Sequence, residues 1–496
     1  MSEQPPIQKR ESDISSVRRI ARNTSFLTIS QIISYGESFV YAILVARYLG
    51  PQGLGILNFA LALTQICAIF ANFGLSTLTT REVARDNSKA SKYAANVFPI
   101  QLLFSLITIG LIVVFVNAAG YSQQTIYVVY ILSIGIVLNT FSSLFLAIFQ
   151  AFEQLEFQSI LTVITSVVPL CGAVIAILLH LNVVVFALVL LSSSAAGLAY
   201  TYATCVRRFF VPRLEADLAF WRSALKEAWP MACMAISVMV YFRIDVVMIS
   251  LIQGTTAVGF YSIAYTLSEA STVIPTILLA SLFPILSKLH QDSKQSFRDT
   301  SAQLIRYLLY LALPMAFFVT LWSKPLISLL YGEKFIPSIA ALQILIWAAA
   351  IMYVTMVLGN AFIASNLQKL NMKLTFIDVA LNIGLNLLLI PKYSYYGASF
   401  ATVATEASGL ALGLFFLGRH GYALGLKRAS VPPIFGLAII GVISALLLFE
   451  NAPLTLITII DLVAYAAIIY KFGINDDDKR LILDLLKTLR LTKAQM

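Results

Sequence analysis

Long apolar runs divide the chain almost from end to end, and short polar segments separate them. A helix that crosses a membrane needs about 20 consecutive apolar residues, and fourteen runs of about that length follow one another here. They predict helices at 23–47, 54–78, 94–117, 125–151, 158–180, 183–206, 226–252, 257–284, 300–322, 337–364, 371–391, 396–418, 430–449 and 452–472. The pattern therefore predicts an all-α, polytopic membrane protein with about 14 transmembrane helices.

The first twelve predicted helices read as two copies of a six-helix unit. Helix 1 ends in RYLGPQGLGILNFA and helix 7 ends in SLIQGTTAVGFYSIA, and an offset of 204 residues aligns the two segments. The alignment superposes the pairs Gly50/Gly254 and Gly55/Gly259. Glycine is favoured where φ is positive or where helices approach closely, because it has no side chain. The two copies are therefore expected to share a tight outer turn.

An even number of spans separates helix 1 from helix 7, so the two copies have the same orientation in the membrane. This predicts two lobes related by an axis along the membrane normal, with a cavity between them. A fainter echo, with an offset of 214, superposes Gln154 on Gln368. The predicted organisation is a cytosolic tail (1–22), an N-terminal six-helix lobe (23–208), a cytosolic inter-lobe linker (209–225), a C-terminal six-helix lobe (226–420), the extra helices 13 and 14 (421–473) and an amphipathic cytosolic tail (474–496).

Charge gives this picture an orientation. Only 12% of the residues are charged and 59% are hydrophobic, whereas a soluble domain carries about 25% charged residues. The predicted inner segments hold 28 lysines and arginines and the outer loops hold 4, which is the asymmetry expected of cytosolic loops. We therefore expect a multi-pass protein of the cytoplasmic membrane with both termini in the cytosol. The net charge of +10 suits anionic membrane lipids, and its dispersal over many loops argues against nucleic acid as a partner.

The same segments carry a family resemblance. RYLGPQGLGILNFALAL, followed by FGLSTLTTREVAR, resembles the opening of the polysaccharide-transporter branch of the multidrug/oligosaccharidyl-lipid/polysaccharide exporter superfamily, which includes O-antigen flippases. YFRIDVVMISLIQGTTAVGFYSIAY resembles the start of that family's second lobe, and LLYGEKFIPSIAALQIL resembles its connection between helices 9 and 10. The resemblance implies two six-helix bundles in a V-shaped arrangement, often with two extra C-terminal helices. It also implies a flippase for polyprenyl-diphosphate-linked oligosaccharide in surface polysaccharide biosynthesis.

Charged side chains at membrane depth are the candidates for substrate binding, because each costs roughly 2.5–3.5 kcal/mol there. Arg243 and Asp245 lie near the middle of predicted helix 7 and point in different directions, since they are two residues apart. The repeat maps Arg243 onto Phe39, close to Glu37, so we expect Glu37 and Arg243 to face the cavity and approach across it. An arginine suits a pyrophosphate, and a nearby carboxylate could hold the arginine or bind H⁺ or Na⁺. The competing interpretation is that these charges only fix helix packing.

Further acids extend the candidate set. Glu269, central in predicted helix 8, aligns with Gln65 in the repeat and would add a second polar pair to the substrate site. Asp378, Glu406 and Asp461 lie in predicted helices 11, 12 and 14. They are candidates for a lipid groove or for ion coupling, and structural roles are the alternative. Helix 14 lies outside the repeat, and an acid that faces lipid would be costly, so we expect Asp461 to face the lobe or a groove for the lipid tail.

A charge cluster follows predicted helix 2 at Arg81, Glu82 and Arg85. It is interpreted either as a topology signal or as a gate at the inner mouth. No phosphate-cradling G-x-x-x-x-G-K-[ST] loop, catalytic triad, cysteine cluster or dinucleotide fingerprint occurs, so no catalytic residue, metal site or cofactor is expected. Transport would then use a substrate gradient, the membrane potential or a coupling ion, H⁺ or Na⁺.

Alternating access is the leading mechanism, and other functions stay open. A multidrug or peptidoglycan-precursor exporter of the same superfamily is the closest alternative. An integral membrane polysaccharide polymerase is disfavoured, because every predicted outer loop is short. The expected partners are the lipid-linked oligosaccharide, membrane lipids, and a polysaccharide polymerase with glycosyltransferases.

Overall fold

The computed structural model describes residues 6–424 and 426–473, and within these ranges the chain is helical and contains no β-strand. The predicted amphipathic tail 474–496 lies outside the described residues. The helices are α1 (Pro6–Asn72), α2 (Leu75–Arg85), α3 (Ala90–Ala118), α4 (Gln123–Ala151), α5 (Leu155–Leu178), α6 (Val183–Arg208), α7 (Leu218–Gln253), α8 (Thr255–Ser271), α9 (Val273–Asp292), α10 (Lys294–Tyr331), α11 (Ser338–Ala364), α12 (Gln368–Arg419), α13 (Leu426–Phe449) and α14 (Leu454–Ile468). The all-α prediction is confirmed.

Twelve helices in the described ranges are long and apolar enough to cross a membrane, against the fourteen that were predicted. The difference arises because α1 and α12 each cover two of the predicted spans and are each counted once. A straight helix of 52 residues, the length of α12, would measure about 78 Å, more than twice the roughly 30 Å of a hydrocarbon core. Non-helical backbone at Gly50 in α1 and at Ser394 in α12 interrupts both helices where the sequence predicted a break. The count of fourteen spans stays a prediction.

The turn predicted by the internal repeat is present in both copies. Gly50 has φ 67° and ψ −177°, and its counterpart Gly254 has φ 84° and ψ 172°. Backbone in this region is essentially restricted to glycine. The two copies of the repeat therefore turn the chain with the same unusual conformation, and the prediction of positive φ at these positions is confirmed.

The second glycine pair forms a reciprocal crossing of α1 and α8. A Cβ atom built on Gly55 would lie 1.7 Å from the carbonyl oxygen of Thr255, and one built on Gly259 would lie 1.9 Å from that of Pro51. The offset of 204 maps Pro51 onto Thr255, so each contact is the copy of the other. Close backbone approach at both glycines is thus confirmed. We call these two contacts the glycine crossing.

The second, weaker repeat, which was predicted to align Gln154 with Gln368, is present in the structure. Its predicted register is wrong by one residue. Glu153 and Asn366 both have positive φ, 58° and 60°. The amides of Gln154 and Leu367 each donate to the carbonyl five residues earlier, at 2.9 and 2.8 Å, which is the bond that closes a helix C-terminus. The backbone therefore aligns Gln154 with Leu367, at an offset of 213, and not with Gln368. The sequence alignment matched two identical glutamines. The helix cap, however, is defined by backbone geometry and not by residue identity.

The helices pack into two compact units. The first contains Met1–Ser262, Leu330–Phe335 and Asn386–Tyr395, and the second contains Ile263–Leu329, Ile336–Leu385 and Tyr396–Met496. In the first unit an apolar cluster joins α2, α4 and α7. In the second unit a larger cluster joins α9 to α12, and the hydroxyl of its buried Tyr353 donates to the carbonyl of Ser271 at 2.7 Å. The predicted division into six-helix lobes stays a prediction.

Candidate functional site

Asp245 is the one charged side chain that is buried in the described part of the first unit, with 4% of its surface exposed. The hydroxyl of Tyr261 donates to its Oδ2 at 2.9 Å, and Nδ2 of Asn386 donates to its Oδ1 at 2.6 Å. Both donors are fully buried. Two neutral groups thus hold both oxygens of a buried carboxylate.

Three helices bring this site together. Asp245 lies nine residues before Gly254 and Tyr261 lies seven residues after it, so the turn between α7 and α8 places their side chains beside each other. Asn386 comes from α12, and Asn382, which lies one helical turn earlier on the same face, is also buried. Neutral hydrogen bonds reduce the desolvation penalty of a carboxylate without cancelling its charge. A carboxylate in this setting can accept a proton or a small cation.

Glu37 and Arg243, which were predicted to approach each other, lie on α1 and α7 of the first unit. Arg243 is half-buried on α7, two residues before Asp245. Glu37 is half-buried on α1; its Oε2 accepts a long hydrogen bond from Ser38 at 3.5 Å. Its Oε1 has no hydrogen-bond partner among the residues that the structure describes. An ion pair between Glu37 and Arg243 is therefore not formed here, and their approach stays a prediction.

The other candidate acids belong to the second unit. Glu269 is exposed near the end of α8. Glu406 is buried and accepts a hydrogen bond from a threonine of α11 at 3.2 Å. Asp378 is half-buried, and Asp461 is fully buried and accepts a short hydrogen bond from Ser444. No group of three or more His, Cys, Asp and Glu side chains within residues 6–424 and 426–473 could hold a metal ion.

The charge cluster after α1 extends further than the sequence indicated. Glu82 Oε1 lies 2.9 Å from Arg81 Nε and 3.0 Å from Arg85 Nη1. Arg81 also forms a short ion pair with Glu227 of α7. Burial alone would lower the pKa of Arg81, but hydrogen bonds and charge from Glu82 and Glu227 raise it overall. The cluster therefore links α2 to α7, and we call it the α2–α7 charge network.

Three residues of these sites were not singled out from the sequence: Tyr261, Asn386 and Glu227. Two asparagines spaced four residues apart in an apolar run, Asn382 and Asn386, are a signal that could have been used, because polar groups in a span usually face protein or a cavity. The partner of Asn386 could not have been read in this way, since it lies 141 residues earlier in the chain.

With the geometry of the site established, comparison with known proteins identifies the family. The sequence profile of the polysaccharide biosynthesis protein family matches residues 20–290, which is more than half of the chain. The chain belongs to this family. The profile of the MatE family matches residues 230–388, so this polysaccharide biosynthesis protein also shares features with the multidrug branch of the resemblance noted above.

Relatives and solved structures agree with that assignment. The probable low-salt glycan biosynthesis flippase Agl15 of Haloferax volcanii is 23% identical over 400 residues, 80% of this chain and 83% of the relative. The putative O-antigen transporter of Shigella flexneri is 26% identical over 380 residues, 72% of this chain and 88% of the relative. Lipid II flippase MurJ, in an inward closed conformation, has a TM-score of 0.72 at 15% identity and covers 90% of this chain and 98% of its own. An inward-facing multidrug resistance MATE family transporter has a TM-score of 0.65 at 17% identity, covering 82% and 99%.

These comparisons settle the class of this polysaccharide biosynthesis protein. All four proteins are named as transporters or flippases, so the prediction of a transporter and not an enzyme is confirmed. The likeness to the two solved structures confirms a MurJ/MATE-like helical fold. Long apolar helices and membrane transporters as relatives also confirm a polytopic membrane protein.

Proposed function

We propose that this protein is a flippase that moves polyprenyl-diphosphate-linked oligosaccharide across the cytoplasmic membrane for surface polysaccharide biosynthesis. The observation that carries the proposal is the match to a protein named as a glycan biosynthesis flippase over 80% of the chain. Movement is by alternating access, and both termini lie in the cytosol. The substrate comes from glycosyltransferases and passes to a polysaccharide polymerase.

Two neighbouring groups on α7 are assigned different tasks. Arg243 binds the diphosphate of the substrate, since its planar guanidinium can donate two parallel hydrogen bonds to phosphate oxygens. Asp245 binds the coupling cation, H⁺ or Na⁺. Its burial and its contacts with Tyr261 and Asn386 support this assignment, because both carboxylate oxygens are held in place inside the protein. Glu37 and Glu269 contribute to the same substrate path.

The α2–α7 charge network is assigned as a gate on the cytosolic side. It joins Arg81 and Glu82, which directly follow the first two predicted spans, to Glu227 of α7. Ion pairs between partly exposed groups contribute little to stability, typically 0.2–1 kcal/mol, so such a contact can break and form again during transport. Asp378, Glu406 and Asp461 are assigned to the coupling path or to a groove for the lipid tail.

The test is transport by the purified full-length protein in proteoliposomes. A tritiated polyprenyl-diphosphate disaccharide is placed in the inner leaflet, and its arrival outside is followed by cleavage with a membrane-impermeant pyrophosphatase. Protein-dependent arrival is expected, with an acceleration by a Na⁺ or pH gradient. If a lipid-linked disaccharide-pentapeptide moves and the simple lipid-linked disaccharide does not, the protein is a peptidoglycan-precursor exporter instead.

Charge reversal separates the roles on α7. Arg243→Glu is expected to abolish transport, whereas Arg222→Glu, at an exposed position near the start of the same helix, keeps it. Asp245→Asn is expected to remove the acceleration by an ion gradient. Transport at the wild-type rate by Arg243→Glu, in a protein that reaches the membrane, would show that Arg243 is not the phosphate ligand.

A further inference from the structure

An open cavity of about 280 Å³ lies within the first unit and is lined by residues of the second half of α1 and of α4, α5 and α6. Its lining includes six polar side chains, Thr64, Gln65, Asn139, Thr165, Ser193 and Ser194. None of the described residues that line it is charged. It therefore differs chemically from Arg243 and Asp245, and the proposed function has not used it.

Four hydroxyl groups in the lining of this cavity already donate hydrogen bonds to backbone carbonyls. Thr64 donates to the carbonyl of Ala60 at 2.7 Å, and Thr165 donates to that of Leu161 at 2.9 Å. Ser193 and Ser194 likewise donate to helix carbonyls, both at 3.3 Å. A hydroxyl that donates in this way keeps its lone pairs and presents an acceptor to the cavity.

The two amides are different, because neither Gln65 nor Asn139 hydrogen-bonds to any residue that the structure describes. Each amide offers two N–H donors and one carbonyl acceptor. Polar groups at membrane depth are costly when they lack partners. Gln65 is half-buried and Asn139 is exposed, so both amides can offer their donors to a ligand or to water beside the hydroxyl acceptors.

The chemistry of the lining selects the ligand. Donors and acceptors without charge suit a neutral molecule that carries several hydroxyl groups, and they supply no positive charge to balance that of a phosphate or a carboxylate. The volume lies near the lower end of the range for small-molecule pockets, roughly 300–1,000 Å³. It suits a sugar ring and is too small for a whole oligosaccharide.

We propose that this cavity is a binding site for an uncharged sugar ring of the substrate, held by the amides of Gln65 and Asn139. The inference rests on the proposed function, since it names the part of the lipid-linked oligosaccharide that the α1–α4–α5–α6 cavity recognises. The diphosphate would bind elsewhere, at Arg243. Selection among substrates by their neutral sugars would then reside in the N-terminal helices.

Gly135 supplies a way to fill the cavity without replacing either amide, although a Cβ there would contact Asn139 Nδ2 at 3.9 Å. It lies on α4 in the lining, and a Cβ built on it would come no closer than 3.7 Å to Ser194 Oγ. The larger side chain of Gly135→Leu would extend into the space. Gly110→Leu is the matched control, because Gly110 is also helical and a Cβ there meets nothing within 4 Å.

The experiment is ligand-observed NMR with the full-length protein in nanodiscs, using glucose, N-acetylglucosamine, glucuronate and inorganic pyrophosphate as separate probes. Saturation transfer to a neutral sugar is expected for wild type and for Gly110→Leu, and its loss is expected for Gly135→Leu. Asn139→Leu should weaken binding by up to about tenfold, because the loss of one net hydrogen bond changes affinity by at most about that much. Thermal melting shows whether each variant is folded. If Gly135→Leu folds poorly, Asn139→Leu still tests the inference.

Several outcomes would overturn the inference: no transfer to any neutral sugar, equal transfer to glucuronate, or unchanged binding in both Gly135→Leu and Asn139→Leu. The first of these would leave a solvated polar cavity only. The result is independent of the proposed function, because binding is measured without transport. Sugar binding without transport in proteoliposomes would contradict the flippase, whereas transport with unaltered sugar binding in the variants would contradict the cavity assignment.

Discussion

The glycine crossing can be tested with a single methyl group. Gly55→Ala would place a Cβ atom 1.7 Å from the carbonyl oxygen of Thr255. Ordinary van der Waals contact begins at 3.4 Å, so α1 and the start of α8 would have to separate by about 1.7 Å along that line. Backbone atoms cannot rotate away as a side chain can. The whole turn would therefore have to move.

The size of the effect follows from this overlap. Overpacking by one methyl group typically costs 1–3 kcal/mol, and alanine in a helix recovers about 0.5–1 kcal/mol relative to glycine. We expect Gly55→Ala to destabilise the protein by about 1–2 kcal/mol, which corresponds to roughly 3–6 °C in melting temperature for a unit of 150–250 residues. Gly110→Ala, in open space on α3, should stabilise slightly.

The double variant Gly55→Ala/Gly259→Ala makes the test specific. Both contacts belong to one crossing, so a movement that relieves one also relieves the other, and mutations in contact are not additive. We expect the double variant to melt within about 2 °C of the more damaging single one. The assay is thermal melting in the same detergent of wild type, Gly55→Ala, Gly259→Ala, the double variant and Gly110→Ala.

Two results would refute this reasoning. If Gly55→Ala melts with the Gly110→Ala control, the close approach of α1 and α8 does not exist in the protein. If the effects of Gly55→Ala and Gly259→Ala add fully, the two contacts are independent and the crossing is not one reciprocal unit.

Three further predictions follow from the buried acids and the charge network. Asp245→Leu should destabilise the protein by about 1–3 kcal/mol for each donor left unsatisfied, whereas Asp245→Asn should melt near wild type; equal melting of both variants would contradict the contacts with Tyr261 and Asn386. Arg81→Glu should impair transport and Arg81→Glu/Glu227→Arg should restore it at least partly, with a coupling energy in stability below about 1 kcal/mol; failure of the swap to restore transport would remove the network as a gate. Asp461→Leu should destabilise by roughly 1–3 kcal/mol more than Asp461→Asn, which retains an acceptor for its α13 partner; indistinguishable melting curves would show that this acid has no structural partner.

Residues differ in how far the sequence could place them. The tight turns at Gly50 and Gly254 could be predicted from the sequence, because the backbone conformation there excludes nearly all other residue types. Ser394 breaks α12 at φ 54° with a non-glycine residue, so only the short polar interval between two apolar runs marked that turn.

The hydrogen-bond and ion-pair partners of the charged residues could not be predicted from the sequence in this way. Asp245 could be recognised as costly at membrane depth from its position in an apolar run. Its contacts with Tyr261 and Asn386 depend on how α7, α8 and α12 pack, and periodicity along one helix carries no information about the neighbouring helix. The same reason hid Glu227, which completes the network that Arg81 begins.

The reciprocal form of the glycine crossing has a consequence for the origin of the chain. In a twofold-symmetric homodimer, residue i of one subunit contacts residue j of the other, and j contacts i in return. Gly55 against Thr255 and Gly259 against Pro51 reproduce that relation within a single polypeptide. The crossing therefore has the form of a dimer interface that gene fusion has made covalent. In such a symmetric interface every substitution acts twice, whereas in this single chain Gly55 and Gly259 can be changed one at a time.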